Sequence, residues 1–283
     1  MIFRCQSWVL EKRIQKSKSQ MNLKIFIRKF ISSEYFLLIT ITCLGGFLRF
    51  YHLGSWSLWN DEVHTIYVAL TGVLKDKVGR SIFYPINFLI TKLSLQIFEI
   101  NEFGARFFPC IFGIATIPLM YYVTKYLFNK NTALLASLFL SLHTWHIDWS
   151  QNARYYSLEC FLVVISFYLF FKGFEENKQK LMIFSLLTIF LAMFCHPSAS
   201  FMVVAYLFYL LTILLFNIQK PFNFNKNCLL FISPFLLISI ILLPWYKNLI
   251  LFLLKERGIV SSPFYILQNI SYHVTLPFLT VAI

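Results

Sequence analysis

Two adjacent carboxylates, Asp61 and Glu62, stand directly after the aromatic stretch Trp56-Ser57-Leu58-Trp59-Asn60. They follow the first long apolar run of the chain, where a membrane segment would hand the backbone to water. A carboxylate there can act as a general base, hold an acceptor hydroxyl or bind a divalent cation. The plainer reading is an acidic pair at the start of a helix near Val63, with Asn60 or Asp61 as its N-cap. Arg106 and Arg154 each open a later apolar run. A guanidinium grips phosphate bidentately, and one held at headgroup depth suits the phosphate of a lipid-linked donor. Snorkelling to ordinary headgroups is the alternative. Arg154 lies in SQNARYY, so Tyr155 and further hydrogen-bonding groups surround it.

His143, His146 and Asp148 are close in sequence, and the two histidines are spaced to share a helix face. No HExxH or comparable ligand spacing accompanies them, so polar packing at the interface is the expectation. No metal site is expected; Glu62, His143 and His146 are the residues that would serve a divalent cation. His196, before Pro197, reads as a turn residue or as a contact to sugar or phosphate. The cysteines Cys5, Cys43, Cys110, Cys160, Cys195 and Cys228 form no CxxC pair and no zinc knuckle.

The elements that must position these groups are membrane spans. With 58% hydrophobic and 13% charged residues, the chain departs from the soluble norm of roughly 25% charged. It reads as an all-α polytopic membrane protein. The formal charge of +13 does not indicate nucleic acid, because the basic residues are scattered through connectors or gathered in the N-terminal tail. Residues 1–34 carry Arg4, Lys12, Arg13, Lys16, Lys18, Lys24, Arg28 and Lys29 and read as a cytoplasmic tail rather than a signal peptide.

A span needs about 20 mostly apolar residues. The candidates are 35–53, 107–126, 132–147, 155–171, 181–195, 198–216 and 228–245. The run PINFLITKLSLQIF, residues 85–98, is shorter and is interrupted by Asn87, Lys92 and Gln96. A charge at the bilayer centre costs about 2.5–3.5 kcal/mol, so this run is a poor span. On a helix its Ile86, Leu89, Ile90, Leu93 and Ile97 form one apolar stripe, the pattern of a helix lying in the membrane interface. With that helix left out of the span count, the inside connectors carry Lys125, Lys130, Lys172, Lys178, Lys180, Lys220 and Lys226. The short outside connectors then carry only Arg154, as the positive-inside rule requires. The outside face collects the first loop, 54–106, the turn 143–156 and the turn 195–198, so the polar groups, with Arg49 at the mouth of the first loop, face one side. Asn269-Ile270-Ser271 matches the glycosylation sequon, as chance allows. The run Leu276–Ile283 is too short to cross, so a C-terminally truncated domain is expected.

LRFYHLGSWSLWNDEVHT, YPINFLI, EFGARFFPCIFGIATIPLMYYVTKYLF and WSQNARYYSLECFL together resemble the dolichyl-phosphate-mannose protein mannosyltransferase-like superfamily. Its members are integral membrane glycosyltransferases of the C-type fold, among them bacterial lipid-A aminoarabinose and lipopolysaccharide-core transferases. The resemblance covers about residues 35 to 216. It implies Asp61 as catalytic carboxylate with Glu62 beside it, and Arg106 and Arg154 as donor-phosphate or site-organising residues. It also implies amphipathic helices in the first outside loop, a polyprenyl-phosphate-sugar donor, a hydroxyl acceptor on protein, lipid or glycan, and a cell-membrane location with a periplasmic, extracellular or lumenal active face. Tyr84 stands where many members have histidine, and the distal C-terminal region of many members has no counterpart. The expected chemistry is a single inverting displacement. The competing classes are a lipid-carrier transporter or flippase, an inactive accessory subunit and a diphosphate-glycan ligase; the first would place charges at mid-membrane depth.

Overall fold

Side-chain caps fix where several of the helices begin. The computed structural model describes residues 33–75, 85–216, 225–233, 236, 237 and 240. The basic tail, Asp76 to Tyr84, the connector with Lys220, most of the expected span 228–245, the Asn269 sequon and the run Leu276–Ile283 lie outside the described residues. Two units divide the chain, Met1–Cys228 and Leu229–Ile283. In the second, residues 229–233 are helical; all that follows concerns the first.

Helix α1 (Glu34–Phe50) opens on Ser33, whose hydroxyl accepts from the Phe36 N–H. Helix α2 (Asn60–Thr71) and a 3-10 turn (Val73–Lys75) follow, then α3 (Pro85–Phe98). The long α4 (Glu102–Leu127) is capped by Asn101, which accepts from the Gly104 N–H at 2.7 Å. Asn129 caps α5 (Lys130–Leu142) in the same way. A seven-residue α6 (Thr144–Ser150) leads into α7 (Tyr156–Glu175), α8 (Gln179–Cys195), a 3-10 turn (Pro197–Ala199) and α9 (Ser200–Leu215). No strand occurs among the described residues.

Among the described residues, three stretches are long and apolar enough to cross a membrane: Glu102–Leu127, Tyr156–Glu175 and Pro197–Leu215. On α9 the large residues Phe201, Val204, Phe208, Leu211 and Leu215 face outward, while Tyr206 and Leu210 are buried. An apolar exterior around a partly polar interior is the arrangement of an all-α membrane protein. Lipid tails are as apolar as leucine, so helices join through small residues and hydrogen bonds. The α7–α8 pair shows this: Ser166 and Ser185 exchange hydroxyl-to-carbonyl bonds at 3.0 and 2.9 Å, and Tyr206 of α9 adds a bond to the Ser166 hydroxyl.

Two expectations change. The stretch expected as a span over 132–147 breaks at His143, whose Nδ1 accepts from the His146 N–H and starts α6 as a separate helix. Helix α3 has the expected bounds, but its apolar stripe divides. Leu89, Leu93 and Ile97 are exposed, while Ile86 and Ile90 pack on Tyr155, Leu158 and Cys195. Its buried face is Asn87, Phe88, Thr91, Ser94 and Leu95. Ser94 donates to the Gly104 carbonyl at 2.5 Å, so small polar residues let α3 approach α4 closely.

Candidate active site

Helix α2 begins at Asn60, earlier than the expected Val63, and this decides the fate of the acidic pair. Successive residues on an α-helix, at 3.6 per turn, leave the axis about 100° apart. Glu62 turns inward and is fully buried, whereas the Asp61 side chain remains 46% exposed.

Glu62 is held by Arg106, which opens the second turn of α4. Nε of Arg106 donates to one carboxylate oxygen at 2.8 Å and Nη2 to the other at 2.6 Å. The same guanidinium donates to the carbonyls of Leu53, Trp56 and Ser57. A guanidinium has five N–H groups, and here all five are engaged, leaving none for a phosphate. Glu62 also accepts from the Ala153 N–H at 2.7 Å and from the Trp59 N–H at the head of its own helix. One buried carboxylate therefore ties together α2, α4 and the turn that delivers Arg154.

Arg154 meets Asp61. Its Nη2 lies 3.5 Å from the Asp61 carboxylate, and Nη1 reaches the Asp61 carbonyl and the Thr65 hydroxyl. Nε of Arg154 is buried and has no hydrogen-bond partner. The guanidinium lies 5.0 Å from the Tyr155 ring centre, and that ring stacks on His196 at 4.1 Å and 7°. Burial pushes the Tyr155 phenol well above its ordinary value. Burial, with Arg154 nearby, pulls His196 down to about 4, so its imidazole is neutral at pH 7. The structure thus gathers Asp61, Arg154, Tyr155 and His196 into one contiguous arrangement, with Glu62 and Arg106 as its support.

The model of the dolichyl-phosphate-mannose-protein mannosyltransferase family matches residues 84–245, more than half of the chain. The chain belongs to that family. The match takes in Arg106, Arg154, Tyr155 and His196; Asp61 and Glu62 precede it. The chain is also similar to an uncharacterized protein of Aquifex aeolicus (strain VF5), 33% identical over 191 residues, covering 62% of this chain and 37% of that protein. The chain therefore spans well under half the length of that relative. No solved structure matches it.

The remaining sequence candidates lie elsewhere in this mannosyltransferase-family chain. His146 is turned toward Arg49 of α1, whose Nη2 donates to His146 Nδ1 at 2.8 Å. Burial, then Arg49 and His143, hold His146 down at about 4. Glu62, His143 and His146 are not brought together, and no group of three potential metal-binding side chains occurs among the described residues. Arg49 was expected at the mouth of the outer loop, yet it is fully buried, donating to the carbonyls of Gly45, Leu140 and Ser141. Two of these carbonyls, of Leu140 and Ser141, lie in the last turn of α5, where a cation is favourable.

One residue was missed from sequence. Glu159, nearly buried in the first turn of α7, accepts from the Ser198 hydroxyl and lies 3.9 Å from His196 Nδ1. Its signal was available: an acidic residue inside a long apolar helix is costly unless partnered, and so marks a site.

Proposed function

We propose that this chain is the catalytic part of a membrane glycosyltransferase that moves a sugar from a polyprenyl-phosphate donor to a hydroxyl acceptor. Asp61 takes the proton from the acceptor hydroxyl. The acceptor oxygen forms its bond to the anomeric carbon as the bond from that carbon to the phosphate oxygen breaks. The polyprenyl phosphate leaves as an anion, and inversion follows from one displacement. Arg154 stabilises the charge that develops on the leaving phosphate, where an oriented, partly desolvated cation has most effect. Arg106 and Glu62 act by positioning, since both are saturated by each other and by backbone. His196 and Tyr155 hold the Arg154 guanidinium from one side.

The observation that carries this reading is the meeting of a half-exposed carboxylate with an arginine that retains an unengaged, buried N–H. Family membership supplies the reaction class. In the proposed layout residues 1–34 are cytoplasmic. Loop 54–106 and the turns 143–156 and 195–198 share the periplasmic, extracellular or lumenal face with the reaction.

The test is transfer in membranes expressing the full-length protein, supplied with polyprenyl-phosphate sugars. Asp61→Asn keeps the side-chain shape and should abolish transfer while leaving donor binding intact. Transfer by Asp61→Asn at the wild-type rate would falsify the assignment of the base.

A further inference from the structure

A cleft of about 310 Å3 opens beside Trp59 and has no part in the chemistry described so far. Its wall combines His52, Trp56, Trp59, Asp148, Gln151 and Asn152, with Arg106 contributing to the lining. The volume is at the lower end of the roughly 300–1,000 Å3 of small-molecule sites.

Two exposed tryptophans and a set of polar side chains make up this wall. Trp56 is 72% exposed and Trp59 43% exposed. Trp59 is also fixed in orientation, because its indole N–H donates to the Asn152 side-chain oxygen at 2.7 Å. Gln151 is fixed too, its amide donating to the carbonyls of Leu48, Arg49 and Tyr51 at the end of α1. The chain turns into the cleft through His52, a non-glycine residue in the left-handed region at φ 57°. Such a conformation persists where surrounding structure enforces it, and it clusters at ligand sites.

Charge narrows the ligand. Every N–H of Arg106 is spent on Glu62 and on backbone carbonyls. The Asp148 carboxylate is exposed and makes no ion pair among the described residues. Among the described residues, a phosphate entering the cleft would meet a free carboxylate and no free cation. A neutral polyol would meet two tryptophan faces, that of Trp59 held in place by Asn152, for its C–H surface and the Asp148 carboxylate for its hydroxyls. We infer that the cleft binds a neutral saccharide unit, distinct from the phosphate-facing side at Arg154. It rests on the proposed function only in naming that saccharide as part of the acceptor; the binding claim stands on the cleft alone.

The experiment is saturation-transfer NMR on the full-length protein in detergent, titrated with methyl α-D-mannopyranoside and methyl α-D-glucopyranoside. Saturable binding in the millimolar range is expected for at least one of them. Trp56→Ala should raise its Kd by about tenfold or more, a loss of about 1.4 kcal/mol, while Trp56→Phe retains most of the affinity. Asp148→Asn should weaken binding to a smaller extent, and inorganic phosphate should not compete. An absence of saturable binding to either glycoside, equal binding by Trp56→Ala, or competition by phosphate would each overturn the inference. Unchanged glycoside binding alongside tighter vesicle partitioning by wild type than by Trp56→Ala would mark Trp56 as an interfacial anchor only and overturn it as well. Because binding is read without turnover, its failure is separate from a failure of the Asp61 transfer test.

Discussion

Replacing Arg106 with alanine separates support from phosphate binding. The Glu62–Arg106 pair is buried on both sides, with side-chain exposures of 5% for the arginine and 0% for the glutamate. Removing one partner of such a pair leaves the other as an uncompensated buried charge and costs about 3–5 kcal/mol. In Arg106→Ala the Glu62 carboxylate would keep only the Ala153 and Trp59 N–H groups, and the carbonyls of Leu53, Trp56 and Ser57 would lose their donors. At about 2–4 °C per kcal/mol for a domain of this size, thermal unfolding in detergent should fall by about 6–20 °C. Transfer would be lost with the fold of the first loop. The paired change Glu62→Leu with Arg106→Met, which removes both charges, should recover much of the stability, because an apolar pair needs no desolvation. If Arg106→Ala instead unfolds within about 2 °C of wild type while losing transfer, the guanidinium acts on substrate and the support role is wrong.

Arg154 should behave in the opposite way. Its partner Asp61 is half exposed, and an ion pair of that kind contributes about 0–1 kcal/mol, so Arg154→Ala should unfold close to wild type. Its transfer should fall about 10- to 100-fold or more, the equivalent of one charge-assisted bond of about 1.5–3 kcal/mol. A variant that loses stability and keeps transfer would contradict this. Acid should destabilise the protein through His146 and His196. Both have folded values near 4, against about 6.5 in the unfolded chain. Between those values the unfolded state binds more protons, so the stability they contribute is complete above about 6.5 and is lost as the pH falls toward about 4. His196→Gln should flatten part of that decline in a thermal-unfolding series; an unchanged slope would remove His196 from the explanation. Membrane sidedness is checked by cysteine labelling with an impermeant maleimide, read against the unsubstituted chain. Trp145→Cys should label from outside and Lys178→Cys only after permeabilisation; the reverse would invert the proposed topology.

The length of apolar runs carried most of the helices, because a stretch apolar enough to cross a bilayer is a local property of the chain. The bounds of α3 are legible in PINFLITKLSLQIF, and so is its amphipathic character. Which face it buries was not legible. Facing lipid and facing protein demand nearly the same residues, and the decision came from how closely Ser94 could approach Gly104 in another helix. The acidic pair shows the same limit more sharply. Asp61 and Glu62 are chemically almost equal and adjacent, so no composition or spacing argument divides them. What divides them is the arrival of Arg106, whose guanidinium can be saturated only where the carbonyls of Leu53, Trp56 and Ser57 converge. Once Arg106 takes Glu62, the helical step turns Asp61 outward, and the Ala153 N–H bonded to Glu62 brings the next residue, Arg154, to Asp61. The buried member of the pair therefore places the half-exposed one beside its arginine. A site built in this way predicts that Glu62→Gln, which keeps the shape but halves the charge-assisted bonding to Arg106, disturbs transfer through the distance between Asp61 and Arg154, with no change of its own at the reacting atoms.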